Sequence, residues 1–190
     1  MRKKSGLWMT VLIILLVACG GDIETNMSED VKDFEFTTQD NETLSLEDLE
    51  GEWWIADFMF TSCTTVCLPM TSNMALLQSK MEEENIDAQL VSFTVDPEHD
   101  TPEVLKDYAE SYDADLDNWS FLTGYDFETI KELSVTSFRS LVVEAQPGTD
   151  QVTHGTKFFL INPDGEVIKQ YDGVSKSEMD VIIEDLKAVM

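Results

Sequence analysis

Stretches of apolar and polar positions alternate along the chain and divide it into strands and helices. Mostly apolar runs of strand-forming residues occur at 53–60 and 88–95, as expected for strands that are buried on both faces of a sheet. Between them, apolar residues recur at spacings of three and four, which predicts a helix over 66–84. The residues that form this apolar stripe are Met70, Met74, Leu77 and Met81.

The remainder of the chain continues the alternation. The further predicted elements are a hairpin (34–38 with 43–46), a helix after the N-cap Thr101, a strand (119–122), a helix (127–133) and two strands (157–161 and 166–171). Ser175 and Glu178 have the spacing of a capping box, which predicts a last helix to Val189. This order predicts the α/β class, with a central mixed β-sheet flanked by helices and an N-terminal β-hairpin.

The first 18 residues have the composition of an export signal. Three cations at Arg2, Lys3 and Lys4 precede an apolar run over 7–18, which is shorter than the ~20 residues of a membrane-spanning helix. The run ends at small residues around Cys19, and the whole segment resembles a bacterial lipoprotein signal. That resemblance implies cleavage before Cys19 and a lipid on its sulfur. An uncleaved anchor is the alternative, and either places the rest of the chain outside the cytoplasmic membrane.

The expected domain organisation is simple. Residues 1–18 form the signal peptide, residues 19–31 are polar and patternless and are interpreted as a flexible acidic tether, and residues 32–190 form a single domain. The chain has no internal repeat and is too short for two domains with large cores. We expect the domain to be a monomer that is lipid-anchored at the extracytoplasmic face of the cell membrane.

Charge excludes one class of function. The chain has 38 Asp and Glu against 12 Lys and Arg, for a formal net charge of −26. Nucleic-acid binding requires clustered cations, so we exclude it. The hydrophobic fraction of 43% excludes a wholly disordered acidic chain. The charge is therefore interpreted as a property of an exported surface, because the removal of residues 1–18 takes away three of the cations.

Cys63 and Cys67 are the candidate chemical groups. They lie between a predicted buried strand and the N-terminus of a helix, where free amides and the helix dipole favour thiolate. Residues four apart on a helix share one face, so the pair is able to form a disulfide or to chelate a soft ion such as Cu(I). Dithiol redox enzymes normally have two intervening residues instead of three. A structural zinc site with both histidines is arithmetically possible.

His154 is the candidate third ligand. It precedes the predicted strand 157–161 by a few residues, at an end of the sheet where loops can bring it to the cysteines. Two thiolates and one imidazole form a soft, open ligand set that suits Cu(I), and Cu(II) when an oxygen or water is added. His99, which has acidic neighbours on both sides, is interpreted as a solvated loop residue.

Several motifs in order resemble the Sco (SenC/PrrC) family from about Val31 to the C-terminus. They are Phe60-Thr61-Ser62-Cys63-Thr64-Thr65-Val66-Cys67, Pro69-Met70-Thr71, Val95-Asp96-Pro97-Glu98, Asp100-Thr101-Pro102, His154 and Asn162-Pro163-Asp164-Gly165. The resemblance implies a thioredoxin-like fold and copper binding by Cys63, Cys67 and His154, with Asp96 near the site. One departure is Leu68, where the family often has proline directly after the second cysteine.

The same resemblance implies a role and a partner. Members of the family serve assembly of the dinuclear copper site (CuA) in subunit II of cytochrome c oxidase, by delivering copper, by reducing that site's cysteines, or both. The expected activity is therefore primarily that of a metallochaperone, with Cys63 and Cys67 as a redox pair that can close to a disulfide. A thiol-disulfide oxidoreductase without metal and a copper or redox sensor are the alternatives. A peroxidase is disfavoured because Arg139, the only arginine of the domain, has no evident reason to lie beside Cys63.

Overall fold

The computed structural model describes residues 23–63, 65–146, 148–149 and 151–190. The predicted signal peptide and Cys19 lie outside the described residues. Among the described residues, no helix has the length and apolar content needed to cross a membrane.

Strands and helices alternate through most of the described chain. The strands are β1 (Glu29–Asp30), β2 (Glu35–Thr38), β3 (Thr43–Ser45), β4 (Trp54–Met59), β5 (Gln89–Thr94), β6 (Trp119–Thr123), β7 (Val142–Val143), β8 (Thr153–His154), β9 (Lys157–Ile161) and β10 (Glu166–Asp172). The helices are α1 (Cys67–Glu84), α2 (Pro102–Glu110), α3 (Phe127–Phe138) and α4 (Glu178–Val189), with a short 3-10 turn at Glu47–Leu49.

Eight of the strands form one mixed sheet. Their order is β1-β10-β9-β4-β5-β6-β2-β3, and β4, β5 and β6 are mutually parallel at its centre. Strand β9 joins β4 antiparallel, and the predicted hairpin β2–β3 joins β6 antiparallel. The α/β class with a central mixed sheet is therefore confirmed, and the carboxyl ends of β4 and β5 open side by side onto the loops that follow them.

Both faces of the sheet are covered by helices. Alternate residues of β4 point to opposite faces, so Trp54 and Phe58 belong to the core that packs against α3, while Ile55 and Met59 belong to the core under α1, α2 and α4. The predicted apolar stripe of α1 is fully buried in the second of these cores. Burial of a side chain of this size contributes about 1.5–3 kcal/mol, which fixes α1 and its first residue against the sheet.

Two predictions need correction. The tether predicted for residues 19–31 is shorter, because its described C-terminal part is attached to the sheet: β1 pairs with β10, and the Asn26 side chain exchanges hydrogen bonds with the backbone of Gln170. The predicted capping box is wrong, because α4 begins at Glu178 after Ser177. The Ser175 carbonyl instead accepts from the Glu178 amide, which closes a turn before the helix.

A two-residue ribbon was not predicted. Strands β7 and β8 pair antiparallel, with Val142 opposite His154 and Val143 opposite Thr153. The Gly155 amide extends the pairing by donating to the Leu141 carbonyl at 3.1 Å. The ribbon holds His154 in a fixed place, instead of leaving it in a free loop.

Candidate metal centre

Cys63 lies in the turn that follows β4. The Cys63 amide donates to the Phe60 carbonyl at 3.4 Å, which closes the turn, and the side chain is only 6% exposed. The Gln151 side chain donates to the Ser62 carbonyl at 3.1 Å, so the segment before His154 is also tied to this turn. The apolar strand thus delivers Cys63 to the carboxyl edge of the sheet.

Cys67 is the first residue of α1 and is 1% exposed. Both cysteines are free thiols in the structure. Leu68, which stands where the family often has proline, is 53% exposed, in contrast to the buried side chain of Cys67. The helix therefore holds Cys67 independently of the turn that holds Cys63.

His154 is directed at the cysteines by its backbone and by one hydrogen bond. Its Nδ1 atom lies 2.8 Å from the Gly155 carbonyl oxygen, which only accepts, so Nδ1 carries the proton. In the neutral ring Nε2 then has a free lone pair, and it lies 3.0 Å from Sγ of Cys67. The Phe60 ring packs against the imidazole at a centroid distance of 5.7 Å and an interplanar angle of 84°.

The structure brings the three predicted ligands together. Sγ of Cys63, Sγ of Cys67 and a ring nitrogen of His154 all lie within 4.8 Å of one another, and all three residues are buried. Within the described part of the chain, no other histidine, cysteine or acidic residue adds a fourth ligand atom to this group. The four-ligand zinc site therefore lacks support, because His99 is exposed and paired with Asp96 instead. The donor set that remains is soft and three-coordinate, as suits Cu(I).

Cys63 is the acidic thiol of the pair. Burial alone would raise its pKa, but hydrogen bonds with the His154 and Cys67 side chains and from the amides of Thr65 and Cys67 lower the pKa to about 5. Helix α1 has no side-chain cap at Val66, and the amide of its first residue, Cys67, donates to the Cys63 sulfur. The Cys63 thiolate thus lies at the N-terminus of α1, where the helix dipole also favours negative charge.

Cys67 has the opposite character. Burial, the hydrogen bond with Cys63 and the charges of Cys63 and Asp57 raise the pKa of Cys67 well above its usual value. Without metal, the pair at neutral pH is one thiolate and one thiol. Binding of a copper ion by both sulfurs would require loss of the remaining proton, so metal binding and proton release would be coupled.

Asp57 is a buried acid that the sequence reasoning overlooked. It accepts a 2.6 Å hydrogen bond from Ser92, whose hydroxyl accepts in turn from the indole of Trp119 at 2.9 Å. Burial raises the pKa of Asp57 to about 6, against the lowering effects of the Ser92 hydrogen bond and the charge of His154. The available signal was a single acid within the apolar run of β4.

Asp96 lies outside the group of mutually close ligand atoms. Its carboxylate is 2.8 Å from Nδ1 of His99, and this contact raises the pKa of His99. Asp96 and His99 line a cleft of about 620 Å³ that Val152, two residues before His154, also lines. A direct role for Asp96 at the metal centre stays a prediction.

Comparison with known proteins identifies the family. The profile of the SCO1/SenC family matches residues 24–190. The SCO1 protein homolog of Bacillus subtilis (strain 168) is 45% identical over 189 residues, which cover 99% of this chain and 97% of that protein.

Solved structures share the fold. A SCO1/SenC family lipoprotein from Bacillus anthracis superposes with a TM-score of 0.81 at 47% identity, over 85% of this chain and 95% of that one. BsSco, a member of the Sco family of cytochrome c oxidase assembly proteins in which a disulfide switch was identified, has a TM-score of 0.78 at 47% identity, over 85% and 94%. Copper-bound yeast Sco1 has a TM-score of 0.68 at 26% identity, over 85% and 91%. The thioredoxin-like fold is confirmed, and the chain belongs to the SCO1/SenC family.

Proposed function

We propose that this protein binds one copper ion through Cys63, Cys67 and His154 and serves assembly of the CuA site in subunit II of cytochrome c oxidase. The observation that carries the proposal is the buried Cys-Cys-His group, whose ligand atoms lie within 4.8 Å of one another. The soft donor set suits copper, and yeast Sco1, a structural neighbour, binds copper. BsSco, at 47% identity, belongs to a family of oxidase assembly proteins.

Copper is the cargo of this protein. The Cys63 thiolate, the Cys67 thiolate formed by proton loss and the neutral Nε2 of His154 hold it. Three ligands leave coordination positions open, so a ligand of the acceptor can bind before a ligand of this protein leaves. Transfer by such stepwise exchange avoids a free ion. When the two sulfurs give two electrons to an acceptor disulfide and close to the Cys63–Cys67 disulfide, two of the three ligands are lost and the metal is released.

Reduction of the acceptor's cysteines is a second candidate function, and the unequal thiols favour it. The Cys63 thiolate attacks one sulfur of an acceptor disulfide, and the other acceptor sulfur leaves as thiolate. Cys67 then loses its proton and attacks Cys63, which releases the second acceptor sulfur. The acceptor gains two electrons and becomes a dithiol, while this protein gains the Cys63–Cys67 disulfide. The low pKa of Cys63 and the raised pKa of Cys67 suit these two roles.

A lipid anchor at Cys19 completes the proposal. The sequence before Cys19 resembles a lipoprotein signal, and the structural neighbour from Bacillus anthracis is a lipoprotein. We place residues 1–18 in a cleaved signal, and the monomeric domain at the outer face of the cell membrane.

Copper titration of the reduced full chain tests the ligand set. The His154→Ala variant loses one of three ligands, so its Cu(I) affinity should fall by about tenfold or more against a competing chelator. The His99→Ala variant is the matched control, because it removes an exposed imidazole that is outside the ligand group. Equal affinities for wild type and His154→Ala would contradict the three-ligand site.

Complementation separates delivery from reduction. A strain that lacks this protein is given the His154→Ala variant, with and without added copper, and oxidase activity is measured. In dithiol exchange the sulfurs form and break the bonds, and the imidazole only helps to lower the pKa of Cys63. Rescue without added copper would therefore favour the reductase. If oxidase activity is absent without added copper and returns when copper is added, delivery is favoured.

A further inference from the structure

Asp100 is a fully buried carboxylate that the proposed copper chemistry does not use. Its residue is 0% exposed, and no lysine, arginine or histidine pairs with it in the described part of the chain. Isolating a carboxylate from water is unfavourable unless strong hydrogen bonds replace its hydration. Burial raises the pKa of Asp100, against the lowering effect of its hydrogen bonds with Thr61 and Thr94. The position of those donors indicates what the carboxylate does.

Three donors converge on the two oxygens of Asp100. The Thr61 amide donates to Oδ2 at 3.1 Å, and the Thr61 hydroxyl donates to Oδ1 at 2.5 Å. The Thr94 hydroxyl also donates to Oδ2. Thr94 is the last residue of β5, and Thr61 is two residues after the end of β4. One side chain therefore joins the carboxyl ends of two neighbouring parallel strands.

The same interactions hold the loop that contains Asp96. The Asp100 amide donates to the Asp96 carbonyl at 2.9 Å, and the Asp96 amide donates to the Thr94 hydroxyl at 3.0 Å. The Thr94 hydroxyl thus accepts from the Asp96 amide and donates to the Asp100 carboxylate at the other end of the loop. The segment before α2 is thereby fastened to the segment that leads to Cys63.

Cys63 depends on this support more than Cys67 does. Cys67 belongs to α1, whose buried face fixes it against the sheet. Cys63 lies in a turn, and only Ser62 separates it from Thr61, so the Cys63 Cα lies within about 7 Å of the Thr61 Cα. The separation of the two sulfurs therefore follows from where Asp100 holds Thr61.

We propose that Asp100 is a positioning residue of the metal centre, which fixes Cys63 relative to Cys67 and His154 through its hydrogen bonds to Thr61. The inference rests on the proposed copper function. Asp100 contacts none of the three ligands in the structure, and it acts through the turn. Loss of the carboxylate should alter the coordination geometry of bound copper, whereas the ligands themselves remain.

Two substitutions at Asp100 separate the loss of its hydrogen bonds from the loss of its negative charge. In Asp100→Asn the amide oxygen accepts from the Thr61 amide and the Thr94 hydroxyl, while the new NH₂ donates to the Thr61 hydroxyl, which can accept. All three hydrogen bonds are kept, so this variant should bind copper as the wild type does. Asp100→Ala leaves the same three donors without their acceptor. Asp126→Ala is the matched control, since Asp126 accepts from the Thr129 amide at 2.8 Å at the exposed start of α3.

The experiment measures copper binding by the full chain together with the visible and electron paramagnetic resonance spectra of the Cu(II) complex. Asp100→Ala should lower copper affinity by about tenfold and shift the sulfur-to-copper charge-transfer band. Asp100→Asn should stay within about threefold of wild type with an unshifted band, and Asp126→Ala should match wild type. A folded Asp100→Ala variant with the affinity and spectrum of wild type would overturn the inference.

Two further measurements distinguish a folding defect, and failure of the proposed function, from loss of the positioning role. If Asp100→Ala does not fold, as judged by circular dichroism, Thr61→Val decides, because it removes only the hydroxyl contact. A shifted band in Thr61→Val supports the inference, and an unshifted band overturns it. Absence of copper binding by the wild-type chain would refute the proposed function itself, and so is distinguishable from failure of the positioning role.

Discussion

The Ser92 hydroxyl donates a 2.6 Å hydrogen bond to Oδ1 of the buried Asp57, whose charge acts on Cys67 of the metal centre. Ser92 is itself held by the indole of Trp119. The carboxylate is thus oriented by a neutral donor, and burial outweighs that donor and raises the pKa of Asp57 to about 6. A carboxylate with these surroundings reduces the stability of the metal-free protein at neutral pH.

The Asp57→Asn variant should therefore stabilise the metal-free protein, with a dependence on pH. A raised pKa means that the folded state holds the proton more tightly than the unfolded state, so wild-type stability falls as pH rises from about 4 to 6. The variant should gain up to about 2–3 kcal/mol in the free energy of unfolding at pH 7.5, and nothing at pH below about 4. Urea unfolding at both pH values measures this.

Asp126→Asn is the control for the Asp57 experiment. It replaces an exposed N-cap carboxylate by an amide that also caps, and its effect should stay within about 0.5 kcal/mol. A loss of stability in Asp57→Asn at pH 7.5 would refute the account of the buried carboxylate.

Cys63 should react with iodoacetamide in preference to Cys67. The reactive form is the thiolate, so the rate at Cys63 should rise through pH 5 and level off by about pH 6, whereas an ordinary thiol continues to gain rate up to about pH 9. Peptide mapping by mass spectrometry after short exposure assigns the label. In denaturant the two cysteines should react equally, and equal labelling in the folded protein would contradict the asymmetry.

Gly155→Ala should weaken copper binding through His154. A Cβ atom at Gly155 would lie 2.5 Å from Oγ of Ser140, and Gly155 is also the residue whose carbonyl accepts from Nδ1 of His154. Displacing this carbonyl disturbs the orientation of the imidazole, so affinity should fall by about tenfold. The measurement is the same chelator competition.

The double variant Ser140→Ala/Gly155→Ala should recover most of that affinity. Its remaining Cβ at position 140 lies 3.8 Å from the added Cβ, which is an ordinary contact. Ser140→Ala alone should bind copper normally. If the double variant binds as weakly as Gly155→Ala, the steric explanation fails.

Salt should stabilise the protein. The formal net charge of −26 makes the folded chain repel itself, and the screening length falls from about 30 Å at 0.01 M to about 3 Å at 1 M salt. The thermal midpoint should therefore rise by several degrees as NaCl is increased at pH 7.5. The rise should shrink at pH 4, where many carboxylates are protonated. An unchanged midpoint at pH 7.5 would count against this interpretation.

Local patterns predicted the elements that have a long apolar repeat. The stripe beginning at Met70 identified α1, and the apolar run 53–60 identified β4, because burial on a fixed face requires those spacings. The two-residue ribbon that holds His154 has no such repeat, since its pairing depends on a partner ten or more residues away. The pairing of β1 with β10 was missed for the same reason.

In the candidate site too, local spacing was predictable from the sequence and long-range contacts were not. The spacing of Cys63 and Cys67 placed two sulfurs on one face, because the helix itself determines that geometry. His154 is 87 residues from Cys67, so its place before strand 157–161 made it only a candidate, and the family resemblance was needed to connect it to the cysteines. Asp57 and Asp100 were overlooked because their roles depend on donors from other strands, which no local pattern reveals.

The antiparallel pairing of β1 with β10 bears on how the protein meets its acceptor. Followed towards the N-terminus, the chain runs along β10 from Glu166 towards Asp172, the end of the sheet at which β9 begins just after His154. Ile23 still packs against the core, so with a lipid on Cys19 only residues 20–22 intervene, a reach of about 14 Å. If Cys19 carries the proposed lipid, this short linker keeps the end of the sheet that holds Cys63, Cys67 and His154 close to the bilayer surface.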